Sequence, residues 1–211
     1  MPHGSDLCTL VLHGLRLKGF ASPEQLAECM GLYPSEVRDL LDRLRAEELV
    51  TRREGRVSGW ALTLAGRRRD AEAIAAELDQ AGLREPVSKG YRRFLEVNSM
   101  LLEVCTDWQM RTVGGRQVLN DHRDGPYDRA VISRLRTIDG DIQPVCTSLA
   151  AGLGRFHNYG PRLSNALKKV ESGEIDWFTK PVIDSYHTIW FELHEDLLST
   201  LGIERARESA S

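Results

Sequence analysis

The stretch from Ser22 to Leu64 narrows the choice of fold more than any other part of the chain. In Ser35-Glu36-Val37-Arg38-Asp39-Leu40-Leu41-Asp42-Arg43-Leu44, the residues Val37, Leu40, Leu41 and Leu44 recur at helical spacing. One stripe is therefore apolar, and the opposite face is free. Just upstream, Ser22-Pro23-Glu24-Gln25 supplies a capping hydroxyl, a proline for the first helical position and a Gln three residues after the cap. A second helix should start there, carry Leu26, Ala27 and Met30 inward and stop near Gly31, leaving Gly31-Leu32-Tyr33-Pro34 as a turn. Together they predict a helix-turn-helix. Leu49-Val50-Thr51-Arg52-Arg53 and Trp60-Ala61-Leu62-Thr63-Leu64 then flank Glu54 to Gly59, a pattern that predicts a β-hairpin. Residues 7–20 form a first helix with Leu10, Val11, Leu15 and Phe20 toward the core, in which Gly14 costs some helicity. His13 on that helix is read as an ordinary surface or interface residue.

The run Ala46-Glu47-Glu48-Leu49-Val50, then basic residues, then Trp60-Ala61-Leu62-Thr63-Leu64-Ala65-Gly66-Arg67, resembles winged-helix regulators of the MarR and PadR type over residues 7–80. The resemblance implies a winged helix-turn-helix with a small two-stranded β-wing, and double-stranded DNA as partner. It also implies a homodimer that sets two recognition helices about one DNA turn apart. The predicted DNA-binding residues are Ser35, Arg38, Asp39 and Arg43 on the recognition helix and Arg52, Arg53 and Arg56 on the wing. Arg38 has the planar fork that meets guanine O6 and N7 together, and Ser35 near the helix start can donate to a phosphate or a base edge. Glu36, Asp39 and Asp42 repel phosphate unless they pair with Arg38, Arg43 or a cytosine amino group.

Charge supports that reading locally rather than globally. The chain carries a net charge of −3, yet Arg45 to Arg69 holds seven arginines against three glutamates. Such a patch suits phosphate contacts, which position a protein on DNA without reading sequence; the bland alternative is a solvated surface run. With 211 residues and 41% hydrophobic content, the chain has room for two small domains with real cores. No run approaches the ~18 apolar residues of a membrane span, and Met1 to Asp6 shows no signal pattern, so a cytoplasmic location and no membrane partner are expected. Cys8, Cys29, Cys105 and Cys146 form no CxxC pair. They are read as small buried hydrophobes, with a redox switch as the sharper alternative.

Residues 66–81 predict a helix leaving the wing and ending at Gly82, and Leu83 to Ser88 reads as a linker. This gives a DNA-binding domain over residues 1–84 and an all-helical effector-binding and dimerisation domain over residues 85–211. In the second, helices are expected over Ser88–Met110, Tyr127–Ile138, Ile142–Leu153, around Phe156–Val170, and to about Leu201, a bundle of about four to six. The segment after Val113-Gly114-Gly115 reads as an irregular polar loop, solvated or at a ligand's edge. The long Ser88–Met110 helix and the last helix are the candidate dimer interface.

No phosphate loop, HExxH, GxSxG or CxxC motif is present, so the chain is not read as an enzyme and no cofactor is expected. Asp184, His187 and His194 fall near one face of the last helix and resemble, loosely, the metal-bearing effector domains of GntR-type repressors. Trp190 and Phe191 crowd the same surface, which favours packed histidines over a metal, and none is assigned. A pocket for a small molecule is assigned instead to Trp108, Arg111, Asn120, His122, Tyr127, Arg155, Tyr159, His187, Trp190 and His194. These residue types line apolar cavities with a few orienting groups, although the same aromatics would serve equally to pack the bundle. Arg111, Arg155 or Arg162 would hold a carboxylate or phosphate. The expected function is thus a homodimeric DNA-binding regulator, a repressor controlled by a small molecule in the helical domain. The alternative is a protein-interaction module whose winged helix no longer binds DNA.

Overall fold

A helix begins where something can take up its first free N–H groups, and side-chain caps set most of the starts here. In the computed structural model, which describes residues 2–55 and 58–204, Asp6 accepts from Thr9 N at 3.0 Å and opens α1 (Leu7–Lys18). Ser22 and Gln25 form the expected reciprocal capping box at α2 (Pro23–Met30), which ends at Gly31 in the left-handed conformation. Helix α3 (Pro34–Ala46) follows at once and buries Val37, Leu40, Leu41 and Leu44, as its period predicts. Strands β1 (Val50–Arg53) and β2 (Gly59–Leu62) pair antiparallel, Val50 opposite Leu62 and Arg53 opposite Gly59. Ala21, before α2, exchanges hydrogen bonds with Trp60 at 3.1 and 2.8 Å, which pins the hairpin to the helices. Thr63 then caps α4 (Leu64–Ala81), and only glycine fits at Gly66, where a Cβ would lie 2.0 Å from the Leu49 carbonyl oxygen.

The segment read as a linker is helical. Only Gly82 and Leu83 separate α4 from α5 (Arg84–Gln109). Pro86 lies in the first turn of α5, where its missing N–H removes no intrahelical bond, so Arg84-Glu85-Pro86 starts a helix instead of breaking one. The expectation of an all-helical second half also needs correcting. Strands β3 (Met110–Val113) and β4 (Arg116–Leu119) form a second antiparallel hairpin, turned by Gly114 and Gly115 at φ of 58° and 79°. A two-residue turn with both φ positive matches strand twist, and Gly-Gly supplies it without strain. The two helices expected either side of Asp139-Gly140 are one, α6 (Gly125–Gly152). Buried Asp139 accepts from Ser164 Oγ at 3.0 Å and Gln143 Nε2 at 3.2 Å, which holds the helix on course through that pair.

A 3-10 turn (Gly154–Asn158), α7 (Tyr159–Glu171), the short α8 (Asp176–Thr179) and α9 (Tyr186–Leu201) complete the described chain, which is mostly α with these two small sheets. Two main apolar cores result, beside a small cluster of Leu17, Cys29 and Met30. One joins α1, α2, α3 and the first hairpin through residues such as Leu15, Leu41 and Trp60. The other, larger, joins α5, α6, α7 and α9 around Phe94, Leu135, Phe156 and Leu193. Helix α4 lies against both α1 and α9. No helix of the described residues is long and apolar enough to cross a membrane.

Candidate functional site

Because α3 turns its apolar stripe into the first core, its other face is entirely exposed: Ser35, Glu36, Arg38, Asp39, Asp42 and Arg43. Arg38 Nη2 donates to Glu24 Oε1 at 2.5 Å, and this bond holds the Glu24 carboxyl below its usual range. Arg43 Nε reaches the Asp39 carbonyl at 3.4 Å. On the hairpin, Arg52 lies 3.3 Å from Glu54 and 6.0 Å from the Trp60 ring, and Arg53 is exposed. Arg67, Arg68 and Arg69 at the start of α4 are exposed as well. A depression of about 330 Å³ where α2, α3 and the hairpin meet brings Arg38, Asp42 and Arg52 together. Arg56 lies outside the described residues.

Where the two cores meet, the contact is ionic. His13, read as a surface or interface residue, is in that interface and fully buried. Its Nδ1 is 3.1 Å from Asp70 Oδ1 on α4, and its Nε2 is 3.1 Å from Asp196 Oδ1 on α9. Burial alone would depress the imidazole, but Asp196 and Asp70 override it and hold its pKa at about 9. Arg155 Nε donates to Glu77 Oε2 at 2.8 Å, its Nη1 pairs with Asp196, and Tyr159 OH donates to Asp196 Oδ2 at 2.9 Å. All of these groups are buried.

Five residues further along α1, Lys18 begins a second cluster. Its Nζ lies 2.7 Å from both Asp184 Oδ1 and Glu192 Oε1, while Arg162 Nη2 lies 2.8 Å from Asp184 Oδ2 and 2.7 Å from Glu192 Oε2. Two cations and two carboxylates thus alternate in a closed ring. Burial would raise the Asp184 carboxyl, and Arg162 and Lys18 more than offset it, so it titrates below its usual value. The same burial, with Glu192 alongside, pushes the Cys29 thiol up to about 12, which removes it as a nucleophile at neutral pH.

The residues assigned to a small-molecule pocket do not share one cavity. Trp108, Arg111, Asn120, His122 and Tyr127 gather at the base of the second hairpin. There the His122 ring lies 4.3 Å from Trp108, Asn120 Nδ2 donates to Asp128 at 2.8 Å, and Arg111 pairs with Asp121 and Asp124. Arg155 and Tyr159 are committed to the buried His13 cluster. Trp190 stacks on Phe94 at 4.9 Å and donates to Asn98, and His194 lies 5.0 Å from the same Phe94 ring. Asp184 precedes α9 and takes Lys18 and Arg162 as partners, so Asp184, His187 and His194 do not converge. Among the described residues no cluster of His, Cys, Asp or Glu is arranged to hold a metal. Of the ten, only His187 lines the cleft that opens beside Lys18, and Arg111 and Tyr127 line a separate depression of about 280 Å³.

Arg155 and Arg162, expected to hold a ligand's carboxylate or phosphate, hold the protein's own carboxylates instead; buried Asp70, Glu77 and Asp196 were not singled out by sequence, although a signal for them exists. Asp70 and Glu77 occupy the same helical stripe as Ile74 and Leu78, and Glu192 and Asp196 that of Ile189, Leu193 and Leu197. A carboxylate on a core-facing stripe needs a buried cation, and His13, Lys18, Arg155 and Arg162 are those cations. Comparison of the chain with protein-family models, with curated proteins and with solved structures finds no match.

Proposed function

We propose that the chain is a DNA-binding transcriptional regulator, acting as a homodimer, in which α1 to β2 form a winged helix-turn-helix. The observation that carries the reading is the shared depression: the exposed face of α3 and the first hairpin present Arg38 and Arg52 to one concave surface. Arg38 reads guanine, and Arg43, Arg53 and Arg67 to Arg69 take phosphates. The ionic seam ties this reading head to the helical half, so a small molecule acting on that half alters how the head is held, and repression is relieved or imposed accordingly. Duplexes from the region upstream of the gene, titrated by fluorescence anisotropy across a salt series, test it. Affinity that falls steeply with salt and is lost in Arg38→Ala is expected; a folded protein with no sequence-specific affinity overturns it.

A second reading rests on the Glu24–Arg38 pair, which lies on a face that also carries Glu36, Asp39 and Asp42. In that reading α3 docks a partner protein, and Arg38→Ala leaves function intact.

A further inference from the structure

Between the C-terminal end of α1 and the start of α9 lies a cleft of about 450 Å³ whose two walls come from different halves of the molecule. Leu17, Phe20 and Gln25 form one wall, and Pro181, Val182, Ile183 and Phe191 the other. Lys18, Asp184 and Glu192 edge it, and they are three of the four members of the ionic ring. His187 lines the second wall, half-buried, and burial keeps its imidazole uncharged at neutral pH. The size falls in the range of small-molecule sites.

Two features fix the chemistry of an occupant. The walls are mostly apolar, so the bulk of the ligand must be apolar too. Every charge at the cleft already has opposite charges within 2.8 Å. A ligand carboxylate would have to displace Asp184 or Glu192, and a ligand ammonium would have to displace Lys18. Either exchange leaves one buried or largely buried ring member without its partner, which is costly. A neutral ligand leaves the ring whole, and the imidazole of His187 offers it one donor and one acceptor. We propose that this cleft is the effector site of the regulator, and that it takes an uncharged, mostly apolar ring compound carrying one hydrogen-bonding group.

The regulatory consequence, though not the pocket itself, rests on the DNA-binding reading. A ligand held between the walls touches the first half through Phe20 and the second through Val182 and Phe191. It therefore has full affinity only when the halves are docked, and this difference is what any switch requires.

A series with one ring system and three charges tests the proposal: 1-naphthol, 1-naphthoate and 1-naphthylmethylammonium, each titrated calorimetrically into the full-length protein at neutral pH. Saturable binding of 1-naphthol with a raised Tm is expected, with both ions at least about tenfold weaker. Phe20→Leu on one wall and Val182→Glu on the other should each weaken 1-naphthol binding; Val182 is 75% exposed, so the second variant leaves the core untouched. No binding by any of the three, equal or tighter binding of either ion, or indifference to both substitutions overturns the proposal. Anisotropy with duplex DNA is read separately. Naphthol binding without DNA binding keeps the site and removes the regulator, and DNA binding without naphthol binding does the reverse.

Discussion

Two ionic clusters fasten the same pair of halves along α1, one at His13 and one at Lys18, and they differ in closure and in balance. Around His13, the carboxylates of Asp70, Glu77 and Asp196 face the cations of His13 and Arg155, all less than a tenth exposed. Hydroxyls from Ser5, Tyr159 and Thr200 take up what the cations leave. Around Lys18, cations and carboxylates are equal in number, and the ring borders an open cleft. A sealed cluster with surplus negative charge cannot lose a cation without stranding a carboxylate away from water. An open, balanced one has a second cation in place and solvent at its edge. The first therefore behaves as a lock, and the second as a joint that can be worked.

The largest effect separating them should come from Arg155→Ala. It leaves Glu77 buried without a cation and Asp196 with His13 alone as its cation, the neighbouring hydroxyls being neutral, and a loss of about 3–5 kcal/mol in urea unfolding is expected. A loss below about 1 kcal/mol would mean that water enters the cluster, and the contrast with the Lys18 ring would disappear.

Titration gives the next effect, and its sign follows from the direction of the shift. His13 rises from 6.5 unfolded to about 9 folded, so the folded state binds this proton more tightly. The stability it contributes is complete below 6.5 and is lost as pH rises through about 9. Unfolding free energy should fall by on the order of 3 kcal/mol across that window. His13→Gln, weaker throughout, should lack this fall; an equal fall in both proteins would assign it to other groups.

Lys18→Met should cost less, about 1–2 kcal/mol, since Arg162 still contacts both Asp184 and Glu192. If it cost as much as Arg155→Ala, the two clusters would be equivalent locks.

These clusters also mark where sequence stops being informative. The local elements were legible because their causes are local: the Ser22 and Gln25 capping box, the stripe of Val37, Leu40, Leu41 and Leu44, and the flanks of the first hairpin all lie within a few residues of their effects. The second hairpin carried an equally local sign in Gly114-Gly115, but the exposed strands around it lack a buried alternating face, so periodicity gave nothing to read. Asp139-Gly140 looked like a break because two of the three groups that hold Asp139, Ser164 and Tyr186, are far along the chain. The same distance hid the ionic seam. His13 meets a carboxylate on α4 and another on α9, and nothing near position 13 announces either. The gathering of Trp108, Asn120, His122 and Tyr127 was anticipated as a group of residue types, whereas its separation from Arg155 and Trp190 depends on how α5, α6 and α9 pack.

The smallest effect concerns an ion pair outside the seam altogether. Arg38 and Glu24 are both more than half exposed, so water screens them and removing the carboxylate should leave unfolding unchanged. Under the proposed DNA-binding reading, binding is another matter: Glu24 already occupies the guanidinium fork that would meet DNA and adds a negative charge beside the α3 face. Glu24→Gln frees Arg38, and DNA affinity at moderate salt should rise by about twofold to fivefold. The gain should shrink as salt increases, since it is partly the loss of a repulsion that ions already screen. Anisotropy on wild type and variant at two salt concentrations measures it. If Glu24 instead fixes Arg38 in the pose that reads a base, the substitution weakens specific binding while sparing non-specific binding, and the pair belongs with the buried clusters as a positioning contact rather than apart from them.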